Sequence, residues 1–331
     1  MCGIAGIMTG EGSRPDDDLL DRLAAALRHR GPDGEGRHVG GDTGLVQTRL
    51  AIIDLETGDQ PIYGPDGEVG PALVANAEVY NYLELRKAMP EAAFRGRSDC
   101  EPPLHLYLRH GVCFAEHLRG MYAIAIYDPG AKRLVLARDP FGIKPLYYYR
   151  STDGFAFASE YQALVAAGWL TPELDGQGRD ELLQLQFTTG ADTPLTGVQR
   201  VFPGETIVIE RGEITERYQL AALPAQAPVM RRPALALAEL DEVLEDAVGI
   251  HQRSDVPYGM FFSGGIDSSV LLAMMARLNA EPVRALTAGF PDAAVHDERD
   301  HARAIARAVG AEHIQVAFTE DDFWTLLPVV T

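Results

Sequence analysis

The chain begins Met1-Cys2-Gly3-Ile4-Ala5-Gly6, and the interpretation of the whole sequence starts from this stretch. Removal of Met1 is expected because Cys2 is small, and it would leave a thiol and a free α-amino group on one residue. An α-amine with a pKa of about 7.7–8.0 can accept a thiol proton near neutral pH and return it to a leaving amine. Cys2 is therefore a candidate nucleophile that carries its own base, although a cysteine at position 2 is weak evidence when taken alone.

Short β-like runs separated by turn-forming clusters fill the first two-thirds of the chain. The predicted strands are residues 3–7, 44–53, 72–76, 121–127, 133–138 and 154–158. Apolar residues at helical spacing from Leu19 to Leu27, with Asp16 to Asp18 at the favoured N-terminal end, predict a helix. The pattern indicates helices packed on antiparallel sheets.

Residues 221–233 lose all periodicity and contain three prolines, which is typical of a linker. They divide a first domain, residues 2–220, from a second, residues 234–331. The second domain alternates helices and strands. Its predicted elements are a helical stripe of Leu237, Leu240, Leu244 and Ala247, a buried strand at 258–262, a helix at 268–278, a strand at 284–287, a helix at 300–309 and a strand at 313–316. The βαβαβ order predicts an α/β, doubly wound parallel sheet.

The composition restricts the classes of partner. A net charge of −19 over 331 residues disfavours nucleic acid, because such binders need a concentrated basic face. The apolar start has no basic region before it and is broken from Gly10 onward, which argues against a signal peptide or a membrane span. Three cysteines do not suggest a disulfide framework. We therefore expect a cytoplasmic protein with neither nucleic-acid nor membrane partners.

Five further segments carry polar residues of chemical interest in a fixed order after the N-terminal one. They are His29-Arg30-Gly31-Pro32-Asp33, Arg49-Leu50-Ala51-Ile52-Ile53-Asp54, Asn76-Ala77-Glu78-Val79-Tyr80-Asn81, Ser98-Asp99-Cys100-Glu101 and the run from Arg138 to Tyr147. Together with the start, this ordered set resembles the class II glutamine amidotransferases. The resemblance implies an α+β N-terminal-nucleophile fold of four layers, αββα, and hydrolysis of glutamine to glutamate and ammonia.

The same resemblance assigns roles that match what glutamine presents. Catalytic residues would be Cys2, Asn76 and Ala77, and glutamine-binding residues would be Arg49, Leu50, Ile52, Asn76, Glu78 and Asp99. A forked cation suits the α-carboxylate, carboxylates suit the α-ammonium, and an amide with a backbone N–H forms an oxyanion hole. Without Cys2, Arg49 and Asp99 could equally be a surface ion pair and Asn76 a strand-end cap. Ala77 stands where the family usually has glycine, and it would be strained if its backbone required a positive φ.

The second domain contains Phe262-Ser263-Gly264-Gly265-Ile266-Asp267-Ser268-Ser269 at the end of a predicted strand. A glycine-rich turn that opens a helix binds anions through free N–H groups and the helix dipole. The segment resembles the pyrophosphate loop of ATP pyrophosphatases. The implied ATP-binding residues are Phe262, Ser263, Gly264, Gly265, Asp267, Ser268, Ser269 and Ala288. Asp267 is the candidate Mg²⁺ ligand, and Asp297-Glu298 resembles a downstream acidic element of that family.

A class II glutaminase joined to a pyrophosphate-loop domain resembles the architecture of the glutamine-hydrolysing asparagine synthetases and their amide-forming relatives. It implies glutamine, ATP and Mg²⁺ as substrates and ion, no prosthetic group, aspartate or another carboxylate as acceptor, and it allows a homodimer. The family continues with a Ser-Gly-Glu-Gly-Ala-Asp-Glu motif that this sequence lacks, so we expect a fragment or a truncated protein that makes no amide. Other class II amidotransferases carry a phosphoribosyl- or sugar-phosphate-binding domain instead, and a non-catalytic subunit is a third alternative.

Overall fold

The structure is a computed structural model that describes residues 1–10, 13–291 and 297–330. The chain divides into two compact units, Met1–Gln226 and Ala227–Thr331. The division falls within the stretch 220–232, which contains no helix or strand and is exposed from residue 221 onward. Among the described residues, no helix has both the length and the apolar character needed to cross a membrane.

Two six-stranded antiparallel sheets form the centre of the first unit. One sheet has the order β10-β8-β9-β1-β3-β2 and the other β12-β11-β7-β6-β5-β4. The strands of the first sheet are β1 (Gly3–Thr9), β2 (Gly34–Gly40), β3 (Thr43–Arg49), β8 (Tyr147–Ser151), β9 (Gly154–Ala158) and β10 (Val198–Arg200). Those of the second are β4 (Ile62–Tyr63), β5 (Ala72–Val79), β6 (Gly120–Asp128), β7 (Arg133–Arg138), β11 (Glu205–Glu210) and β12 (Glu213–Gln219).

Helices cover the outer faces of the two sheets: α1 (Asp17–Leu27), α2 (Tyr82–Ala88), α3 (Pro102–His110) and α4 (Tyr161–Ala166). A further helix, α5 (Gly176–Leu185), is mostly exposed. Buried side chains of α1 and α4 pack on the first sheet, those of α3 pack on the second, and a third apolar cluster lies between the sheets. The layers therefore run helix, sheet, sheet, helix, which confirms the αββα prediction.

The predicted helix at the start of the chain is confirmed with its cap. The Asp16 side chain accepts a hydrogen bond from the backbone N–H of Asp18, as an N-cap residue does. Leu19, Leu20, Leu23 and Leu27 are buried on one face. This face packs against β1, so the helix supports the strand that carries the N-terminus.

One strand prediction was too long. Residues 44–53 were expected as one strand, but β3 ends at Arg49. The pairing of β1 with β3 ends where Gly3 lies opposite Thr48, and the pairing of β2 with β3 ends where Gly34 lies opposite Arg49. Neither strand extends beyond these residues to pair with the chain after Arg49. The chain then turns through Asp54 at a φ of 57°. Leu50 to Asp54 consequently form a loop rather than a strand.

The second unit is a three-stranded parallel sheet with helices. Its elements are α6 (Pro233–His251), β13 (Gly259–Phe261), α7 (Ile266–Leu278), β14 (Arg284–Gly289), α8 (Arg299–Ala308), β15 (Glu312–Ala317) and α9 (Glu320–Val330). The strand order is β13-β14-β15, and both pairs are parallel. The α/β prediction is confirmed in this respect. Within the described chain the strands follow sequence order, so the reversal that defines a doubly wound sheet is not seen.

The predicted buried strand at 258–262 is shorter and more exposed than expected. β13 covers only Gly259–Phe261, and Phe261 is 90% exposed. The edge position of β13 explains this, because an edge strand has one neighbour instead of two. Phe262, the next residue, is 2% exposed and packs into the core of the unit.

Candidate active site

All eight residues predicted for the glutaminase site line one pocket in the first unit. They are Cys2, Arg49, Leu50, Ile52, Asn76, Ala77, Glu78 and Asp99. The pocket holds about 520 Å³ of empty space, part of it open to solvent. β1 brings Cys2, the end of β3 brings Arg49, and β5 brings Asn76 to Glu78, so the two sheets converge on it.

Cys2 is held at both its backbone and its sulfur. Its Sγ accepts a hydrogen bond from the N–H of Leu50 at 3.4 Å, and its carbonyl oxygen accepts one from Arg30 Nε at 3.0 Å. Burial raises the pKa of the Cys2 thiol above its ordinary value. The resting thiol is therefore protonated near neutral pH and needs a base. Burial also lowers the pKa of the Met1 amino group, so an amine at this place in the pocket is well suited to accept a proton.

Asn76 and Ala77 have the geometry of an oxyanion hole. The Asn76 side chain is 1% exposed, and its Nδ2 has no hydrogen-bond partner in the described part of the chain. The N–H groups of Ala75 and Val79 donate to Gln60 Oε1 at 2.6 Å and to Asp99 Oδ2 at 2.7 Å. Because N–H groups alternate between the two sides of a strand, that of Ala77 points to the same side. Two donors thus face the pocket beside Cys2.

The strain considered for Ala77 does not arise. Ala77 lies within β5 in extended conformation and is not among the residues with a positive φ. Its methyl group packs against the core cluster of the second sheet, away from the edge to which its N–H points. The condition under which alanine would be strained here, a positive φ, is therefore not met.

Glu78 and Asp99 form an acidic pair in the pocket. Burial, with the neighbouring charge of Asp99, raises the pKa of Glu78 to about 7. Burial raises the pKa of Asp99 to about 6, against the hydrogen bond from the N–H of Val79, which lowers it. A ligand ammonium would offset the repulsion between these two carboxylates, so the pair suits a cationic group.

The guanidinium group of Arg49 is already paired, whereas the sequence suggested that it would be free to bind a ligand carboxylate. Its Nη1 forms an ion pair with Asp59 Oδ1 at 2.9 Å, and its Nη2 donates to the carbonyl oxygen of Asp54. The Asp59 side chain is 82% exposed, whereas that of Arg49 is 9% exposed. A Cβ at Gly58 would lie 2.4 Å from Arg49 Nη2, so only glycine admits the guanidinium there. A ligand carboxylate must therefore displace Asp59 from Arg49.

Sequence reasoning missed Gln60 and Lys144, which line the pocket, and Asp59, which pairs with Arg49. The Gln60 side chain holds β5 by accepting the hydrogen bond from the N–H of Ala75. Lys144 lies within the run from Arg138 to Tyr147, which was used only to support the resemblance. Its side chain is 3% exposed, and a lysine between apolar neighbours in a matched motif was the signal that could have singled it out.

The predicted pyrophosphate loop lies between β13 and α7. Gly264 has a φ of 80°, which favours glycine. A Cβ there would also lie only 3.2 to 3.3 Å from atoms of His301 and Ala302, so the lack of space favours glycine as well. Gly265 is the N-cap of α7, and the hydroxyls of Ser268 and Ser269 donate to its carbonyl oxygen at 3.1 and 2.7 Å. The turn therefore presents the N-terminus of a 13-residue helix, which is an anion-binding arrangement.

The other predicted ATP-site residues lie near the same edge of the sheet. Ala288 lies one residue before the end of β14, is exposed, and belongs to a strand parallel to β13. Thr287 Oγ1 donates to the carbonyl oxygen of Phe262 at 2.6 Å, which ties the two strand ends together.

Asp267 is exposed in the first turn of α7. The described residues contain no group of three or more side chains able to hold a metal. A single carboxylate fits Mg²⁺ that arrives with phosphate, because this ion keeps most of its waters. Asp297, in the predicted acidic element, pairs with Arg299 at 2.6 Å.

Two family profiles match the chain. The profile described as glutamine amidotransferase domain matches residues 1–219, and the one described as asparagine synthase matches residues 239–331. Among solved structures, glutamine phosphoribosylpyrophosphate amidotransferase from Bacillus subtilis, complexed with ADP and GMP, aligns with a TM-score of 0.50. It shares 18% identity and covers 95% of this chain and 65% of its own. A structure described as the allosteric regulatory enzyme of purine biosynthesis aligns similarly, with a TM-score of 0.51, 19% identity and the same coverage. At such identities the likeness concerns the fold, and it agrees with the N-terminal-nucleophile architecture.

Curated relatives match across both units. The glutamine-hydrolysing asparagine synthetase 1 of Bacillus subtilis (strain 168) is 32% identical over 336 residues, which cover 100% of this chain and 52% of the relative. A putative glutamine-hydrolysing asparagine synthetase of Mycobacterium tuberculosis (strain ATCC 25618 / H37Rv) is 35% identical over 353 residues, covering 100% and 54%. The chain spans about half the length of these relatives.

Proposed function

We propose, from the premise that this chain belongs to the glutamine amidotransferase family, that it hydrolyses glutamine at Cys2 and supplies the ammonia for glutamine-dependent asparagine synthesis. The acceptor is a carboxylate activated by ATP. We infer that it is aspartate because the relatives are named asparagine synthetases. The observation that carries the proposal is the single pocket in which Cys2 meets an unpartnered Asn76 amide, an arginine and two carboxylates.

Glutamine binding follows from the charges of the pocket. The α-ammonium of glutamine pairs with Glu78 and Asp99, which it brings fully into their charged forms. The α-carboxylate takes the place of Asp59 on Arg49, and the exposed Asp59 returns to solvent at little cost because pairs of this kind contribute about 0–1 kcal/mol. The γ-amide then extends toward Cys2.

The chemistry proceeds in two steps. After removal of Met1, the α-amine of Cys2 takes the thiol proton, the sulfur attacks the carbonyl carbon (Cδ) of the glutamine side-chain amide, and Asn76 Nδ2 and the Ala77 N–H bind the oxyanion. The same amine returns the proton to the leaving nitrogen, ammonia departs, and a thioester remains. Water then breaks the C–S bond, restoring the thiol and leaving a γ-carboxylate, and the released proton converts ammonia to ammonium unless ammonia has already been used.

The second unit supplies the activation step in this proposal. The turn at Ser263 to Ser269 holds the pyrophosphate part of ATP at the N-terminus of α7, and the edge at Ala288 receives the adenine. Asp267 would hold Mg²⁺ together with the phosphates, and the ion would neutralise their charge. The serine hydroxyls and backbone N–H groups orient the leaving pyrophosphate while the acceptor carboxylate attacks the α-phosphate.

The test is glutamine hydrolysis by the N-terminally processed chain. We expect Cys2→Ala to abolish glutamate formation, and a retained N-terminal tag to do nearly the same, because the tag blocks the amine. Cys113→Ala is the matched control, since Cys113 lies outside the pocket, and it should leave the rate unchanged. Full activity with the tag in place, or with Cys2→Ala, would show that the N-terminal nucleophile is not the catalyst. Adding ATP, Mg²⁺ and aspartate and following pyrophosphate tests the second half.

A further inference from the structure

Lys144 is a buried cation in the pocket that the reaction scheme above does not use. Its side chain is 3% exposed and lines the pocket together with Cys2 and Glu78. Among the residues that the structure describes, its ammonium group has neither a hydrogen bond nor an ion pair within 4 Å. The ammonium is not among the fully buried side-chain atoms of the described residues that lack a hydrogen-bond partner, so it is open to the pocket, where an anionic ligand would pair with it.

The backbone around Lys144 is fixed. Its N–H donates to Asp139 Oδ2 at 2.9 Å, and its carbonyl oxygen accepts from Arg138 Nε at 2.8 Å. Asp139 is fully buried and also accepts from the N–H groups of Phe141 and Ile143 at 3.1 and 2.9 Å. The ammonium is therefore presented to the pocket by an ordered loop.

The charges around Lys144 indicate which part of a ligand it faces. Burial lowers the pKa of Lys144, and the nearby charges of Glu78 and, to a smaller extent, Cys2 act in the opposite direction. The positive charge of Lys144 in turn acts to lower the pKa values of Glu78 and Cys2. The cation thus lies in the field of the sulfur that attacks the carbonyl carbon of the side-chain amide. The oxygen on that carbon carries no negative charge in glutamine, but the oxygens there are charged in the tetrahedral intermediate and in the product glutamate.

We propose that Lys144 binds the γ-carboxylate of glutamate, so that the pocket is inhibited by its own product, and that the same ammonium assists the oxyanion. This inference rests on the proposed glutaminase function. The α-ammonium and α-carboxylate are the same in glutamine and glutamate and use Glu78, Asp99 and Arg49 in both cases. Lys144 is the cation that distinguishes the two ligands, through the charge on the γ-carboxylate, whereas the neutral donors Asn76 Nδ2 and the Ala77 N–H can contact the side-chain oxygen of either ligand.

The experiment compares the two ligands by calorimetry in a Cys2→Ala background, where Met1 is still removed but glutamine is not consumed. We expect Lys144→Met to raise the Kd of glutamate by about 10- to 100-fold, the usual loss for one charge-assisted hydrogen bond, and that of glutamine by less than about threefold. Lys144→Arg should retain most of the preference. Lys87→Met, which removes an exposed lysine of α2, should change neither Kd.

The outcomes separate the two hypotheses. Equal weakening of both ligands, or no change in either, overturns the role of Lys144 while glutamine binding by the parent still supports the proposed function. If the Cys2→Ala parent binds neither ligand, the proposed function fails and this inference fails with it. Should Lys144→Met not fold, Lys144→Gln and the inhibition constant of glutamate in the Cys2 enzyme give the same comparison.

Discussion

At the scale of single residues, Glu78 shows how a side chain placed to bind a ligand can lower the stability of the unliganded protein. Its carboxyl is half-buried with a second acid, Asp99, beside it, and its pKa rises to about 7 from 4.5. In the unliganded protein the charged form is unfavourable. In the proposed complex with glutamine, the ligand ammonium would provide the missing counter-charge.

The consequence for stability has a definite sign. Because the folded pKa of Glu78 lies above its unfolded value, the folded protein binds more protons between pH 4.5 and about 7 and loses stability as the pH rises through this window. We expect Glu78→Gln to raise the Tm of the unliganded protein at pH 8 and to leave it unchanged below pH 4.5. The gain should be about 2–4 °C for each kcal/mol recovered.

Thermal unfolding at both pH values checks this prediction, with Glu116→Gln as a control that alters an exposed carboxylate. The same variant should bind glutamine more weakly at pH 8. A lower Tm for Glu78→Gln at pH 8 would contradict the assignment of an unfavourable charge.

The residues proposed to bind glutamine could be predicted from sequence because motif resemblance carries them one by one. Asp59 and Lys144 could not, since their importance comes from contacts that only the folded chain creates: an ion pair with Arg49, and a position in the pocket beside Cys2 and Glu78. Ala77 shows what the identity of a residue leaves open. Alanine would be strained at a positive φ, and β5 holds Ala77 in extended conformation instead.

At the scale of elements, the loop between β7 and β8 is organised by one carboxylate. Asp139 is 0% exposed and accepts hydrogen bonds from the N–H groups of Phe141, Ile143 and Lys144. Gly142 completes the turn at a φ of 63°. In the turn Asp-Pro-Phe-Gly-Ile-Lys-Pro, the aspartate therefore holds the loop by binding its backbone N–H groups.

We expect Asp139→Ala to lower the free energy of unfolding by about 3–5 kcal/mol, because it leaves several buried N–H groups without an acceptor. Urea unfolding measures the loss. Asp153→Ala, in the hairpin between β8 and β9, is the matched control because its side chain is exposed. A loss for Asp139→Ala no larger than that of the control would show that the loop is held by packing instead.

Element boundaries were predictable where apolar alternation ends at a turn, as for β7 and β9, whose predicted limits are those observed. They were not predictable where a strand ends for lack of a partner. The apolar run beyond Arg49 continues to Ile53, but β1 and β2 no longer lie beside it, and Leu50, Ile52 and Ile53 line the pocket instead. Strand pairing is a tertiary property that local pattern does not contain.

At the scale of the whole molecule, the two predicted chemistries lie in separate compact units. The glutaminase pocket uses residues from Met1 to Lys144, and the anion-binding turn lies in the second unit. The loss of periodicity and the prolines between them made this division predictable. The strand order of the second unit was not, because β-order depends on how crossovers pack rather than on their length.

Limited proteolysis tests this organisation. Exposed segments without helix or strand are the preferred sites of cleavage, and residues 221–232 are such a segment. Trypsin should cut first after Arg231, since the bond after Arg232 precedes Pro233 and resists the enzyme, and since Arg211 and Arg217 lie in or beside the β11–β12 hairpin. Arg231→Gln should delay this cut.

The fragment ending at Arg231 retains every residue of the pocket, together with both sheets and their helices. We therefore expect it to hydrolyse glutamine at a rate within about threefold of the uncut chain, because each packed layer around the pocket lies within the first unit and an intact core keeps its side chains in place. Following glutamate release alongside the appearance of the fragment measures this. Loss of hydrolysis in step with cleavage after Arg231 would show that the pocket depends on contacts from the second unit, and the arginine substitution would then protect activity as well as the chain.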